Sequence, residues 1–294
     1  AMENSEILEY GWVTATSRKY DNRKYYFNTF TKETSWTIPS QLIRNSNGTS
    51  KGEKRKGDFS SKISPKKQST VRVAIVVPYR NQYEEQKRRE HLEKFVPSMT
   101  TFMEAQNIPF KIFIIEQSID DRKFNRGKLL NIGFDQAKKE NFNVVVLHDV
   151  DLLPSEDLGE WYAKYPLQPI HIARRWPRYS NNANYCGGIL SISSKDYELI
   201  NGYPNTFWGW GGEDDEMKKR FDELNIKFIS PTVGTITDLE DMTLKTKLGV
   251  LKSNKNWKCM VKKEALDEHA KSWRTNGLSD LNYEVLEIKD LNHS

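Results

Sequence analysis

An α/β fold built on a parallel sheet, with a small all-β unit ahead of it, is predicted by three observations. From residue 71 onward, short β-branched runs alternate with segments of helical apolar spacing. Residues 6–43 have a different character, rich in aromatics and threonine, with Asp21-Asn22 between two apolar runs. Residues 44–70 hold Gly, Ser, Asn and Lys and almost nothing apolar, so they read as a disordered basic linker between two folded parts.

The elements follow in order. Residues 71–77 form a β-branched run that stops at Pro78 and predict a buried strand. The spacing of Leu92, Phe95, Val96, Met99, Phe102 and Met103 predicts a helix over 84–106. Residues 111–116 are a second strand, 127–140 a second helix, and 143–148 a third strand that ends before Asp149. This order implies parallel strands covered by helices, a nucleotide-binding class of fold. Ligands gather at the carboxyl ends of such strands, where Arg80 and Asp149-Val150-Asp151 fall.

Bulk properties exclude several classes of function. The chain of 294 residues fits one medium catalytic domain with an appendage, and a hydrophobic content of 37% fits the presence of a polar linker. The net charge is +5, but residues 44–70 hold eight Lys/Arg against two Asp/Glu, a net +6 that leaves the rest at −1. A nucleic-acid-binding main domain, with its basic excess on a folded face, is not expected. No apolar run approaches the roughly 20 residues that span a bilayer, and the first ten residues are acidic and polar. With only Cys186 and Cys259, far apart, the expectation is a cytoplasmic protein without a membrane partner.

Two acidic motifs carry the chemistry. Asp149 and Asp151, at i and i+2 on an extended segment, are expected to point to one side and to hold a divalent cation against a diphosphate. The second motif is Phe207-Trp208-Gly209-Trp210-Gly211-Gly212 followed by Glu213-Asp214-Asp215-Glu216, with the acids opening a helix to about residue 224. Four acids exceed what offsetting a helix dipole requires. Crowded carboxylates raise one another's pKa, which suits one of them to act as a general base. The glycines are expected to let the loop move, with Trp210 carrying that motion onto a bound donor. Arg174, Arg175 and Arg178 lie between the motifs. At least two of them are expected on a solvated face, and one is a candidate to neutralise phosphate.

Trp12 and Trp36, with Tyr25-Tyr26-Phe27-Asn28 between them and Pro39 after, resemble the WW domain over residues 6–43. The resemblance implies a core of Trp12, Tyr26 and Pro39, with Tyr25 and Trp36 forming a groove for a proline-containing peptide. Thr29 stands where the family often has His, which leaves the ligand class open, as does the alternative of a scaffold that binds nothing.

The two acidic motifs, together with Val76-Val77-Pro78-Tyr79-Arg80-Asn81 and Phe124-Asn125-Arg126-Gly127-Lys128-Leu129-Leu130-Asn131, resemble the β-1,4-galactosyltransferase family, including the type that adds galactose to xylose. The resemblance spans 71–290 and implies the GT-A fold. It also implies an inverting hexose transfer, with galactose expected, from a UDP-sugar donor to a glycan or glycoprotein acceptor, with Mn²⁺ as cofactor. Carried over by position, Pro78, Tyr79 and Arg80 hold the uridine, Arg126 lies beside the nucleotide, and Asp149 contacts the donor. Glu213 binds the donor sugar, Asp214 is the base that deprotonates the acceptor, and Asp215 helps to bind acceptor. Tyr185 sits where the family discriminates donors, and a buried aromatic at a strand edge is its equally open alternative.

The family completes its metal site with His residues after the acidic cluster, and this chain has none between His171 and His269. Asp238 and Glu240 take those places, so the expected ligands are Asp151, Asp238 and Glu240, an all-oxygen set. Two rival readings stay open: the same machinery using UDP-glucose or UDP-GalNAc, and an inactive transferase-like scaffold.

Overall fold

A computed structural model describes residues 12–17, 23–28, 34–35 and 70–291. The chain forms two compact units, Ala1–Gln68 and Ser69–Ser294. In the first, β1 (Trp12–Ser17), β2 (Arg23–Asn28) and β3 (Thr34–Ser35) make a three-stranded antiparallel sheet in the order β1-β2-β3. Its register sets Trp12 opposite Asn28 and Tyr26 opposite Ser35. Tyr26 is half-buried. Trp36 and Pro39 lie outside the described residues, as do the side chains of Trp12 and Tyr25.

The second unit is built on β4 (Val73–Tyr79), β5 (Phe110–Glu116), β6 (Val144–His148), β8 (Ile170–His171) and β9 (Ile189–Ser193), in the order β5-β4-β6-β9-β8. Strands β7 (Leu152–Pro154) and β10 (Ile236–Asp238) pair separately. The helices are α1 (Arg88–Glu104), α2 (Arg126–Lys139), α3 (Gly159–Ala163), α4 (Ser194–Leu199), α5 (Glu213–Glu223), α6 (Leu244–Ser253), α7 (Lys262–Asp267) and α8 (His269–Ser272).

The sheet is mixed where the sequence implies a parallel one. β4 runs parallel to β5 and β6, while β9 is antiparallel to both β6 and β8. The parallel part comes from the strand–helix–strand half of the chain, because a helical crossover is what brings a strand back in the same direction.

Two boundaries differ from expectation for local reasons. β4 runs through Pro78 to Tyr79. Its pairing with β6 ends at Val76, so beyond that point only β5 is bonded and a missing N–H removes no bond to β6. The segment read as one helix over 84–106 is a short 3₁₀ turn, Glu84–Gln86, and then α1. Lys87 between them has φ 52, a left-handed residue that no continuous helix accepts. α1 buries His91, Phe95, Met99 and Met103, one stripe at four-residue spacing, of which Phe95, Met99 and Met103 pack on the face of the sheet that carries Val73, Ile75 and Val77. α2 covers the other face through Leu130, Phe134 and Ala137, beside Ala74 and Val76.

Candidate active site

The carboxyl ends of β4 and β6 open into a cavity of about 380 Å³. Every transferase residue nominated from the sequence lines it except Asp238: Pro78, Tyr79, Arg80, Arg126, Asp149, Asp151, Tyr185, Trp210, Glu213, Asp214, Asp215 and Glu240.

Asp149-Val150-Asp151 is a turn, closed by Leu152 N donating to Asp149 O at 3.3 Å, and not an extended segment. The alternation expected of a strand therefore does not apply, and the two acids take different partners. Asp149 Oδ1 accepts from Arg126 Nε at 2.7 Å, whereas Asp151 Oδ2 accepts from Arg88 Nη1 at 2.7 Å.

Around Arg126 stands the first set of charges. This residue opens α2, behind the Asn125 cap. Besides Asp149, its Nη1 donates to Asp214 Oδ1 at 3.1 Å and lies 4.0 Å from Glu213 Oε1. Arg126 thus serves the acids directly. Burial is the main force on Asp149 and Glu213, and the neighbouring acids add to it. Asp149 is pushed up to about 6, Glu213 to about 8, and Arg126 is too little positive charge to reverse either shift. Glu213 Oε2 is buried without a hydrogen-bond partner among the described residues.

The crowding of acids that the sequence suggests therefore falls on Glu213. The remaining two acids of the run divide their work: Asp215 is exposed and pairs with Lys262 at 2.5 Å, while Glu216 is buried, accepting from His269 Nδ1 at 2.8 Å and Arg220 Nε at 3.3 Å. Glu216 ties α5 to α8.

The second set is Asp151, Asp238 and Glu240, whose ligand oxygens all lie within 4.8 Å of one another. The β7–β10 register explains their meeting, since Asp238 pairs with Leu152, next to Asp151, and Leu239 N donates to Asp151 O at 2.7 Å. Three carboxylates and no soft donor fit a hard divalent cation such as Mn²⁺ or Mg²⁺. Three cations share the place. Arg88 reaches Asp151 and, at 2.5 Å, Glu240; Arg178 pairs with Asp238 and, at 3.0 Å, with Glu240; Lys247 lies 2.6 Å from Glu240.

Burial raises Asp151, but the charge and hydrogen bond of Arg88 more than reverse it and hold it at about 2. Glu240 is lowered too, burial and Asp151 being outweighed by Arg88 and Lys247. Asp238 is raised, because its burial outweighs Arg178.

The arginines read as a solvated face are not one. Arg178 is buried in the acid set, Arg175 Nε donates to Gly234 O at 2.8 Å, and Arg174 keeps a buried Nη1. Arg88 and Lys247 escape sequence reasoning because a charged residue on a helix reads as solvent-facing, and the partners of Arg178, which sits in a turn, lie 60 and 62 residues on.

Arg80 is buried, with Nη1 donating to Arg122 O at 2.8 Å and Nη2 to Asp120 O at 2.9 Å, so it shapes the loop after β5 as well as the cavity. Tyr185 stacks on Tyr179 with centroids 4.0 Å apart and meets His171 edge-on at 5.6 Å. Its ring therefore has a fixed place in the cavity wall, and it is half-buried rather than part of the deep core.

Gly209, Gly211 and Gly212 have φ of 95°, 99° and 106°. These values are the reason for glycine here, since the left-handed region strains any side chain. Rather than hanging free, the loop is fastened by Gly209 N to Phe124 O at 2.8 Å, Trp210 N to Trp257 O at 2.6 Å and Cys259 N to Trp210 O at 3.0 Å. Trp210 remains partly exposed at 39%.

Comparison with known proteins agrees with this geometry. Residues 39–163 match the model of the N-terminal region of glycosyl transferase group 7, residues 168–243 the model described as the N-terminal domain of galactosyltransferase, and residues 8–39 the WW domain. The chain is 32% identical over 222 residues to β-1,4-galactosyltransferase 4 of Mus musculus, covering 74% of this chain and 60% of that protein. With β-1,4-galactosyltransferase 7 of Drosophila melanogaster the identity is 32% over 225 residues, covering 76% and 66%. The chain thus spans about 60% of the length of such curated relatives.

The solved catalytic domain of Drosophila β-1,4-galactosyltransferase 7 with xylobiose superposes with a TM-score of 0.61 at 30% identity, over 74% of this chain and 87% of that one. A mutant of the same enzyme in complex with manganese, UDP-Gal and xylobiose gives 0.60 at 30% identity, over 75% and 88%. The larger unit has the GT-A fold of these neighbours. By its motifs, its fold and these matches, the chain belongs to the β-1,4-galactosyltransferase family, with a WW domain at its N-terminal end.

Proposed function

We propose that this protein is a metal-dependent, inverting transferase that moves galactose from UDP-galactose to a hydroxyl of a glycan or glycoprotein acceptor. The observation that carries the reading is the meeting of two acid sets at one cavity: Asp151 and Glu240 of the Asp151–Asp238–Glu240 cation triad, and Glu213–Asp214 at the start of α5. A bound Mn²⁺ or Mg²⁺ would neutralise the donor diphosphate. The chain's own residues do the rest. Tyr79, Arg80 and Pro78 line the nucleotide end, and Tyr185 closes the sugar end. The orphaned, proton-retaining Glu213 has a free oxygen for a sugar hydroxyl.

Asp214 takes the acceptor proton as the acceptor oxygen bonds to the anomeric carbon. The bond from that carbon to the diphosphate breaks, and its electron pair leaves with UDP. One in-line displacement inverts the centre and needs no covalent sugar–enzyme intermediate.

The deciding experiment titrates UDP by calorimetry with Mn²⁺, with Mg²⁺ and with chelator. It then measures UDP release from UDP-galactose, UDP-glucose and UDP-GalNAc, with a xyloside and an N-acetylglucosaminide as acceptors. Metal-enhanced UDP binding and preference for UDP-galactose are expected; turnover fastest with another donor would reassign the sugar.

One observation favours a second reading, a transferase-like scaffold: Arg88, Arg178 and Lys247 already neutralise the acid triad. UDP binding that is indifferent to metal, with no release from any donor, would select it. In either case the WW domain is proposed to engage a proline-containing peptide, on the strength of the match over residues 8–39. A cytoplasmic setting belongs to the same proposal. Cys186 and Cys259 are both buried free thiols, which fits a reducing compartment, and imaging of a tagged full-length chain tests it.

A further inference from the structure

We propose that Tyr203 is a positioning residue for the base: its phenol, with Arg126, holds Oδ1 of Asp214 so that Oδ2 is the oxygen that receives the acceptor proton. The inference rests on the reading of Asp214 as the base. Tyr203 is fully buried, and its Oη donates to Asp214 Oδ1 at 2.9 Å. Arg126 Nη1 donates to the same oxygen at 3.1 Å. Among the described residues no donor reaches Oδ2.

A carboxylate with two donors on one oxygen and none on the other is asymmetric, and its proton affinity is concentrated on the free oxygen. Oδ2 itself lies against Gly187. A Cβ on Gly187 would lie 2.1 Å from Oδ2, so glycine there lets the carboxylate rest against the chain.

The phenol is itself held by a frame that nothing in the reaction requires. Tyr203 N donates to Asn131 Oδ1 at 2.9 Å, and Tyr203 O accepts from Asn131 Nδ2 at 2.7 Å. Asn131 Oδ1 also accepts from Tyr197 Oη at 2.7 Å. Tyr203 is therefore locked to α2 at two backbone points, and its ring has one place to go. Burial pushes its pKa well above 10, so it stays a neutral donor throughout the working range.

The other charged or titratable groups around Asp214 are Arg126 from α2, Asp149 after β6, Tyr179, Tyr185 and Cys186 before β9, and Glu213 beside it. Of these, Arg126 also lies over the Tyr203 ring, 5.6 Å from its centroid, and a Phe at this position keeps that ring.

The test is a double-mutant cycle on the full chain with Mn²⁺, reading UDP release from UDP-galactose with water as acceptor. Tyr203→Phe should lower kcat about tenfold, the worth of one hydrogen bond to a charged group, while the KM for UDP-galactose stays within about twofold. The acid limb of its kcat profile should move to higher pH, because the carboxylate has lost a donor. In an Asp214→Asn background the same change should cost nothing further. Should Tyr203→Phe fail to fold, 3,5-difluorotyrosine at this position strengthens the donor and should move the acid limb to lower pH.

Loss of turnover in Asp214→Asn with wild-type rate and pH profile in Tyr203→Phe, an unmoved limb with the fluorinated residue, or equal losses in both backgrounds would overturn the positioning role alone. Full turnover in Asp214→Asn, or no UDP release by the unaltered chain, would instead remove the base reading on which it stands.

Discussion

Around Arg126, three carboxylates (Asp149, Glu213 and Asp214) share one guanidinium; around Arg88, three others (Asp151, Asp238 and Glu240) share two guanidiniums and the ammonium of Lys247. The sets meet at the turn after β6, two residues apart, and burial disfavours the charged carboxylates in both. What differs is the balance of charge. The first set keeps excess negative charge, so Asp149 rises to about 6 and Glu213 to about 8. In the second, the cations bring Asp151 down to about 2. Two carboxylates that favour their protonated form, Asp149 and Glu213, are thereby separated from two that are held ionised, Asp151 and Glu240, although both sets are made of Asp and Glu.

The largest expected effect breaks the first set. Asp214→Asn keeps the shape but cannot take a proton, so turnover should fall about 10²–10⁴-fold while UDP affinity holds. Steady-state rates beside calorimetry check this, and near-normal turnover would erase the distinction between the sets.

Next is the balance of the second set. Arg88→Gln leaves Asp151 and Glu240 short of a buried partner and should cost about 3 kcal/mol of stability without metal. Millimolar Mn²⁺ should recover much of that loss, because a cation that binds the folded state alone stabilises it. Thermal melting with and without Mn²⁺ reads it; a variant melting like the parent in chelator would mean that the cations do not balance the triad.

A smaller effect follows from Glu213. Its folded pKa of about 8 lies above the ordinary 4.5, so the folded chain binds more protons between these values than the unfolded one. The stability it contributes is complete below about 4.5 and is lost as pH rises toward 8. Glu213→Gln should therefore melt like the parent near pH 4.5 and exceed it near pH 8, by on the order of 2 kcal/mol, while losing activity. Parallel melting curves at both pH values would show that the first set is not short of positive charge.

The smallest effect on either set should come from removing residues 1–43. Both sets lie within Ser69–Ser294, so kcat on a small free acceptor should be unchanged. Tyr25→Ala or Trp36→Ala should abolish binding of a proline-rich peptide to the isolated first unit, read by fluorescence titration, without altering turnover. A large fall in turnover on truncation would tie the N-terminal unit to the site after all.

Local pattern carried much of this architecture. The stripe of Phe95, Met99 and Met103, the β-branched runs of β4 and β6, and the acid-opened α5 are all legible because side-chain periodicity is a property of neighbours in sequence. Asp238 and Glu240 were nominated as partners of Asp151 through the resemblance, by their place after the acidic cluster, and the structure brings the three together. Tyr203 gave no signal, since nothing in an Asn-Gly-Tyr-Pro stretch says that the phenol ends on an acid eleven residues later. The mixed sheet was missed because β9 arrives without a helical crossover of its own.

What the sequence by itself determined, then, is the order of the first three strands of the sheet, the family and the acids that meet at the cavity, because each is written in contiguous motifs. Only the tertiary structure decided which cation meets which acid. Arg88 reaches Asp151 across 63 residues and Glu240 across 152, and Arg126 reaches Asp214 across 88. Pairings at that distance are set by strand register and helix packing, and the burial and charge that come with them push Asp149 up to about 6 at one end of a turn and hold Asp151 at about 2 at the other.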